Sequence, residues 1–301
     1  MSPDRTARRV VAAALGLAGA VTVAAAPAQA ADSDLTSRYV ALGDSFTAGP
    51  LIPDQYGDPV FCLRSRKNYP NVVARALGVA DFQDASCSGA TTEHMTDPQE
   101  LPLGTENDPQ FDALTEDTTL VTLGVGGNDL GFGEILLTCV GLSAIDPTGD
   151  PCRTYYTDGD GGDRLADRLD ETGAEVAEVL AGIRERSPDA TVAVVGYLQI
   201  LPESQGCWPV VPIAEEDVAY LDRTQTRLNE TLAKEAANAD AVFVDVFERG
   251  HDVCSARDDK WVEGIFPTKP AAPVHPNETG MAEAGARVVE ALGGAAPAPL
   301  V

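Results

Sequence analysis

The sequence is poor in positive charge and in histidine. Its 301 residues contain 21 Lys and Arg against 47 Asp and Glu, which gives a formal net charge of −26 at pH 7. A protein with that charge repels nucleic acid and anionic polymers, so we expect no nucleic-acid partner. The chain has only 3 histidines and no Cys-x-x-Cys pair, so we expect no metal site of the zinc type.

Long apolar runs are also scarce. The one long run, Val10 to Ala26, follows three arginines and precedes Ala28-Gln-Ala30. That pattern is typical of a secretory signal peptide with a small-residue cleavage site, which we predict at residues 1–30. The run is shorter than the roughly 20 residues of a membrane span, so no stable membrane insertion is expected. We expect residues 31–301 to form a single domain with an ordered core at about 38–292. We also expect the protein to be extracellular.

All the cysteines lie after the predicted signal peptide. An even number of cysteines in an exported chain predicts disulfides. Six cysteines can pair in many ways, and the sequence alone does not choose. We expect sequential pairing, because each pair would then tie down one long loop: Cys62 with Cys87, Cys139 with Cys152, and Cys207 with Cys254.

Short apolar runs alternate with helical patterns along the chain. The predicted strands are Tyr39–Leu42, Asp81–Asp84, Leu120–Val125, Thr191–Val195 and Ala241–Asp245. The predicted helices are Tyr69–Leu77, Leu130–Leu137, Asp163–Arg186, Glu215–Ala237 and Glu278–Leu292. Strands that alternate with helices and are apolar on both faces indicate an α/β domain with a parallel sheet covered on both sides. If the strand order is 2-1-3-4-5, the first three strands are neighbours in that sheet.

Polar motifs follow the first three predicted strands. They are Gly43-Asp-Ser45, Cys87-Ser-Gly89 and Gly126-Gly-Asn-Asp129. In an open parallel sheet, ligands bind at the carboxyl ends of the strands near the switch in strand order, and the order 2-1-3-4-5 brings the three motifs together there. A serine attacks a carbonyl when a base takes its proton and donors receive the charge on oxygen. We therefore predict Ser45 as nucleophile, with oxyanion donors from the backbone of Ser45 and Gly89 and from the Asn128 side chain.

Three histidines are candidates for the base. His94 follows the second motif, and His251 lies in the long loop after the fifth strand. His275 is the preferred candidate, because Pro273 and Pro276 fix its backbone. The helix that follows should hold its loop beside the carboxyl ends of the strands, where the three motifs meet.

In this order, the motifs resemble the SGNH hydrolases, also called GDSL esterases and lipases, and are most similar to the secreted actinobacterial branch with three disulfides. The resemblance covers nearly the whole chain, from Tyr39 to about Leu292. It implies a flavodoxin-like three-layer α/β/α fold with a five-stranded parallel sheet. It also implies no cofactor, and hydrolysis of carboxylic esters through an acyl-enzyme formed by Ser45 and His275.

Two positions depart from the family pattern. Phe46 stands where the family usually has leucine, and Ala272 stands where it usually has an aspartate three residues before the histidine. A backbone carbonyl from Lys269–Val274, with that of Ala272 as the first candidate, can orient His275 instead. Asp245 and Asp259 are the remaining candidates for this role.

The sequence leaves several functions open. An esterase or lipase acting as a monomer on a small-molecule or lipid ester is our first hypothesis. Phospholipase A1 and carbohydrate O-deacetylase activities are the alternatives within the enzyme class. An exported lipid- or glycan-binding module on an inactive hydrolase fold is the non-enzymatic alternative, which the alanine at position 272 favours.

Overall fold

Five parallel strands form the central sheet of the computed structural model, which describes residues 35–157 and 161–294. The strands are β1 (Arg38–Gly43), β2 (Asp81–Asp84), β3 (Leu120–Gly124), β4 (Thr191–Val195) and β5 (Val242–Val244). Their order is β2-β1-β3-β4-β5, and all neighbours pair in parallel. The predicted parallel sheet and its order are confirmed. The predicted signal peptide, residues 1–30, lies outside the described residues.

Seven α-helices of the described residues connect or flank the strands. They are α1 (Ser45–Ala48), α2 (Tyr69–Leu77), α3 (Phe132–Ser143), α4 (Pro151–Tyr156), α5 (Arg164–Arg186), α6 (Glu215–Asn238) and α7 (Glu278–Ala291). Helix α2 packs on α7, and α5 packs on α6. The strand order reverses direction at β1, so right-handed crossovers place these two pairs on opposite faces of the sheet. The predicted three-layer α/β/α architecture is confirmed.

Short elements occupy the long loops after β1 and β2. Two antiparallel pairs form there, Gln55–Tyr56 with Arg64–Ser65 and Gln99–Leu101 with Thr105–Asn107. Four 3-10 helices lie at Val60–Cys62, Thr92–Met95, Pro102–Gly104 and Gln110–Ala113. These elements order the loops at the carboxyl edge of the sheet, where the predicted site residues lie.

The core is centred on β1 and β3. Residues Tyr39 to Leu42 of β1 are fully buried on both faces of the sheet, as are Leu120, Val121 and Leu123 of β3. Each fully buried side chain of this kind contributes roughly 1.5–3 kcal/mol relative to an exposed one. The ends of these two strands are therefore a rigid base for the turns that follow them.

Two predictions about helices were wrong in detail. Helix α3 begins at Phe132 rather than Leu130, because Gly131 adopts a left-handed conformation (φ 88°), and it continues past Leu137 to Ser143. Helix α4 lies between the predicted helices Leu130–Leu137 and Asp163–Arg186, where we predicted neither a helix nor a strand. Its first N–H groups, those of Cys152 and Arg153, each donate to the Asp217 carboxylate at 2.8 Å.

The predicted disulfides are confirmed. Cys62 pairs with Cys87, Cys139 with Cys152 and Cys207 with Cys254, and the described residues contain no free cysteine. The first disulfide joins the loops after β1 and β2, the second joins α3 to α4, and the third joins the loops after β4 and β5. All three therefore restrain segments around the carboxyl edge of the sheet.

Candidate active site

Ser45 lies on the tight turn that ends β1. Gly43 has no room for a side chain, because a Cβ there would lie 2.5 Å from the carbonyl oxygen of Gly124. The N–H of Asp44 donates to that same carbonyl at 2.9 Å, which joins the ends of β1 and β3. The Asp44 carboxylate then caps α1 by accepting the N–H of Phe46 at 2.8 Å. Ser45 is the first residue of α1 and is therefore held at a fixed point on the sheet edge.

His275 reaches Ser45 from the loop before α7. Its Nε2 lies 2.8 Å from the Ser45 Oγ, and its Nδ1 lies 2.7 Å from the carbonyl oxygen of Pro273. Because a carbonyl oxygen only accepts, the proton is on Nδ1, and Nε2 is free to accept the serine hydroxyl. Burial lowers the pKa of His275 below its usual 6.5, although the bond to Pro273 favours the charged form. The imidazole is therefore mainly neutral at pH 7.

The left-handed backbone conformation of Val274 lets the His275 ring contact the carbonyl of Pro273 in its own loop. Val274 has a φ of 59°, which is uncommon for a β-branched residue, and it reverses the chain between Pro273 and His275. The carbonyl of Ala272 accepts the backbone N–H of His275 at 3.3 Å and does not hold the ring. The prediction of Ala272 as ring partner was therefore wrong, although the acceptor lies within the predicted segment.

The two carboxylates proposed from the sequence as ring partners have other contacts. The Asp245 carboxylate accepts the N–H of Phe247 at 2.9 Å. The contact of Asp259 to a histidine is made by its backbone carbonyl, which lies 2.6 Å from Nδ1 of His251. Within residues 35–157 and 161–294, no carboxylate forms a hydrogen bond with His275. Both predictions were therefore wrong.

The other two histidines are engaged elsewhere. His94 Nδ1 lies 2.9 Å from the backbone nitrogen of Thr91, in the 3-10 helix after the second motif. The His251 ring stacks on Trp261, with centroids 3.9 Å apart and planes 4° apart. His275 is the histidine that meets Ser45.

Gly89 lies after β2, at the same carboxyl edge of the sheet as Ser45. It has a φ of 82°, and a Cβ there would approach only the Gln99 side chain, at 3.5 Å. Conformation rather than space therefore favours glycine. The preceding Ser88 donates its N–H to the Cys62 carbonyl at 3.1 Å, beside the first disulfide. Among the described residues, the N–H groups of Ser45 and Gly89 have no acceptor, and both residues line the pocket.

Asn128 completes this group of donors. Its side-chain nitrogen donates to the carbonyl of Ala90 at 2.9 Å, and the amide retains a second N–H. The adjacent Asp129 accepts the N–H and the hydroxyl of Thr92 at 2.9 and 2.6 Å. Two neighbouring residues thus fasten the turn after β3 to the segment that carries Gly89.

Sequence reasoning missed Tyr197, which also lines the pocket. It follows β4, and its hydroxyl lies 2.5 Å from the Asp44 carboxylate. An aromatic residue after a buried strand is usually a core residue, and nothing in the sequence distinguishes this tyrosine from one.

Ser45 and His275 open into an apolar pocket with a volume of about 460 Å³. Its walls come from α3, from the segment after β4 and from α6. They include Phe132, Ile135, Leu136, Ile200, Val211, Ile213, Leu221 and Leu228. A pocket of this size with a few convergent polar groups is typical of a small-molecule or lipid site.

The described residues contain neither a membrane-spanning helix nor a metal cluster. No helix within them combines the length and apolar character needed to cross a bilayer. In the same ranges, no group of three or more His, Cys, Asp or Glu side chains is placed to hold a metal ion.

Comparisons with known proteins agree with the motifs and the fold. Residues 41–283 match the GDSL-like Lipase/Acylhydrolase family. Lipase 2 of Streptomyces coelicolor is 36% identical over 93% of this chain and 92% of its own length. The esterase of Streptomyces scabiei is 34% identical over 91% of each chain.

A solved structure shows the same similarity. The crystal structure of phospholipase A1 from Streptomyces albidoflavus is 25% identical, with a TM-score of 0.63, over 86% of this chain and 98% of the other. The protein belongs to the GDSL-like lipase/acylhydrolase family and is a carboxylic ester hydrolase.

Proposed function

We propose that the protein is a secreted serine hydrolase that cleaves lipid esters through an acyl-enzyme. The observation that carries the proposal is the 2.8 Å contact between Ser45 Oγ and His275 Nε2, two residues that line the apolar pocket. A hydroxyl beside a neutral imidazole, whose other nitrogen is held by a third group, is the arrangement that activates a serine nucleophile.

The reaction follows from these contacts. His275 Nε2 takes the proton as Ser45 Oγ attacks the ester carbonyl carbon, and the negative charge develops on the carbonyl oxygen. The N–H groups of Ser45, Gly89 and Asn128 receive that charge. Protonated His275 then gives its proton to the leaving alcohol, which leaves an acyl group on Ser45. Water activated by His275 releases the acid and restores the hydroxyl.

The Pro273 carbonyl replaces the carboxylate of a Ser-His-Asp triad in this scheme. It accepts a hydrogen bond from His275 Nδ1–H, with an N···O distance of 2.7 Å, and so fixes both the orientation and the tautomer of the ring. A neutral carbonyl stabilises the imidazolium less than a carboxylate does. The site therefore works as a serine–histidine pair assisted by a backbone dipole.

The pocket favours an ester with a long acyl chain. Its apolar walls and volume of about 460 Å³ give an alkyl chain room to leave water, and each buried methylene contributes about 0.8 kcal/mol. An acetyl group would use little of this surface, so a lipid ester is favoured over an acetylated sugar. The similarity to a phospholipase A1 makes the acyl ester of a phospholipid the second candidate substrate.

Secretion is part of the proposal. Three disulfides join segments of the described chain, and such bonds persist mainly in oxidising compartments outside the cytosol. The predicted signal peptide at residues 1–30 supplies the route of export. Sequencing the amino terminus of the exported protein should give Ala31 as its first residue, and an intact Met1 would contradict this part.

The first test is removal of the nucleophile. Ser45→Ala should lower kcat for a p-nitrophenyl ester by at least about a thousandfold, because the acyl-enzyme cannot form. Its melting temperature should stay close to that of the wild type. Triglyceride and phosphatidylcholine assayed side by side with esters of increasing acyl length would rank the candidate substrates.

A matched control is Ser187→Ala, at the far end of α5. It removes a buried hydroxyl that donates to the Thr115 carbonyl at 2.9 Å, and it should leave kcat unchanged. Turnover that survives in Ser45→Ala would remove the mechanism and favour the alternative of a binding module.

A further inference from the structure

The hydroxyl of Tyr197 bridges the two turns that carry the reacting groups. It lies 2.5 Å from the Asp44 carboxylate and 2.7 Å from the backbone nitrogen of Gly127. A backbone N–H can only donate, so the hydroxyl accepts from Gly127 and gives its single proton to Asp44. Tyr197 therefore donates to the ionised Asp44 carboxylate while it accepts from Gly127.

Each partner of Tyr197 directly precedes a residue of the candidate site. Asp44 precedes Ser45, and Gly127 precedes Asn128. The second oxygen of the Asp44 carboxylate accepts the N–H of Phe46, so this carboxylate is held from both sides of the serine turn. A movement of the tyrosine hydroxyl would displace the serine and the asparagine together.

The tyrosine is itself held firmly. Its backbone N–H donates to the Asn229 side-chain oxygen at 2.8 Å, and the Asn229 amide donates to the Tyr197 carbonyl at 2.9 Å. The ring packs edge-on against Phe46, with centroids 5.1 Å apart. A Cβ at Gly127 would lie 3.0 Å from the tyrosine oxygen, so the glycine backbone is in close contact with it. Helix α6, which carries Asn229, therefore holds the backbone of Tyr197 in place.

The electrostatics of the pair keep the proton on the tyrosine. Burial raises the pKa of Asp44 to about 7, while the hydrogen bonds from Tyr197 and Phe46 favour its carboxylate form. Burial and the charge of Asp44 raise the pKa of Tyr197 well above its usual value. The tyrosine hydroxyl thus stays protonated, and it donates to Asp44 while that carboxyl is ionised.

We propose that Tyr197 is a positioning residue that fixes the Ser45 turn and the Asn128 amide relative to one another through Asp44 and Gly127. This inference rests on the proposed function of Ser45, Asn128 and His275. Tyr197 acts through the two turns and exchanges no proton with the substrate. Loss of the Tyr197 hydroxyl therefore misaligns the nucleophile and the oxyanion donors, while the apolar pocket can still bind the acyl chain.

Tyr197→Phe tests the bridge, because it removes the hydroxyl and keeps the ring. Tyr39→Phe is the matched control: Tyr39 is fully buried, and its hydroxyl lies 2.7 Å from Thr122 Oγ1 within the core. Both variants lose one buried hydroxyl and should show a lower melting temperature; the loss is two hydrogen bonds at Tyr197 and one at Tyr39, so the fall should be larger for Tyr197→Phe. Only Tyr197→Phe should lower kcat for a short p-nitrophenyl ester, by about tenfold or more, with KM within about twofold.

A double-mutant cycle tests the route of the effect. If Tyr197 acts through Asp44, adding Tyr197→Phe to Asp44→Asn should lower kcat by much less than Tyr197→Phe does alone. Losses that simply multiply would overturn this route. A Tyr197→Phe variant whose kcat matches that of Tyr39→Phe, while Ser45→Ala is inactive, would overturn the inference and leave the proposed function intact. Activity in Ser45→Ala would instead remove the proposed function.

Discussion

At the scale of single residues, the third member of the site is a backbone atom. The Pro273 carbonyl takes the place that a carboxylate occupies in many serine hydrolases, and it lies 2.7 Å from His275 Nδ1. It fixes the tautomer but brings no negative charge to balance the imidazolium. Burial therefore governs the titration of this histidine, and lowers its pKa.

The pH dependence of activity follows from that shift. His275 must be neutral to accept the Ser45 proton, so kcat/KM should fall as pH falls through the pKa of the histidine. Because burial lowers this pKa, the midpoint should lie below 6.5. A pH profile of kcat/KM with a short ester reports this value for the free enzyme.

Asp44 is the other group that can titrate near this range, since burial raises its pKa to about 7. Asp44→Asn separates the two groups, because asparagine keeps the side-chain oxygen that caps α1. The variant should retain the same acidic midpoint even where kcat is lower. A midpoint above 6.5 in the wild type, or its disappearance in Asp44→Asn, would contradict the assignment to His275.

Residue chemistry was predictable from sequence where a motif marks it. Ser45 and Asn128 follow buried strands, Gly89 follows the half-exposed edge strand β2, and His275 lies between two prolines. The ring partner of His275 is a backbone carbonyl. Every residue has one, so the residue types in the sequence do not identify which carbonyl it is. The conformation of Val274, which selects Pro273 over Ala272, depends on how the whole loop packs.

At the scale of elements, α3 forms one wall of the apolar pocket. It is strongly apolar, and Phe132, Ile135 and Leu136 line the pocket. The next residue, Leu137, is 76% exposed and points away from the core. Of these two adjacent leucines, Leu136 therefore lines the pocket and Leu137 faces solvent.

We predict that Leu136→Trp shortens the usable pocket. Displacing two methylenes of the acyl chain would lower the preference for a long over a short ester by about tenfold, since each buried methylene contributes about 0.8 kcal/mol. The measurement is the ratio of kcat/KM for p-nitrophenyl esters of long and short acids. Leu137→Trp is the control and should leave the ratio unchanged; equal ratios in the two variants would count against this pocket as the acyl site.

The elements themselves were largely predictable, because the β-branched runs and the long helical periods are local signals. Helix α4 was not, since the carboxylate that caps it belongs to Asp217, far along the chain in α6. A segment of Pro, Gly and Asp residues looks like a loop until that distant acceptor is in place.

At the scale of the whole molecule, the disulfides connect separate walls of the site. Cys207–Cys254 joins the segment after β4, which carries Val211, to the loop after β5, which carries Val253. Both valines line the pocket. This disulfide therefore holds two walls of the pocket together and also contributes to the free energy of unfolding.

Removing that disulfide should affect both properties. It closes a loop of 47 residues, and a loop of that length is expected to contribute about 4 kcal/mol by restricting the unfolded chain. The Cys207→Ala/Cys254→Ala double variant should show a lower free energy of unfolding in urea and a higher KM for a long-chain ester. Unchanged unfolding would mean that this cross-link constrains nothing in solution.

The pairing of Ser45 with His275 is the central claim, and covalent trapping tests it most directly. The protein would be treated with a fluorophosphonate, digested, and mapped by mass spectrometry. One equivalent of label should be found on Ser45, and His275→Ala should be labelled far more slowly because its serine is not activated. Label on a different residue, or an undiminished rate of labelling in His275→Ala, would contradict the account.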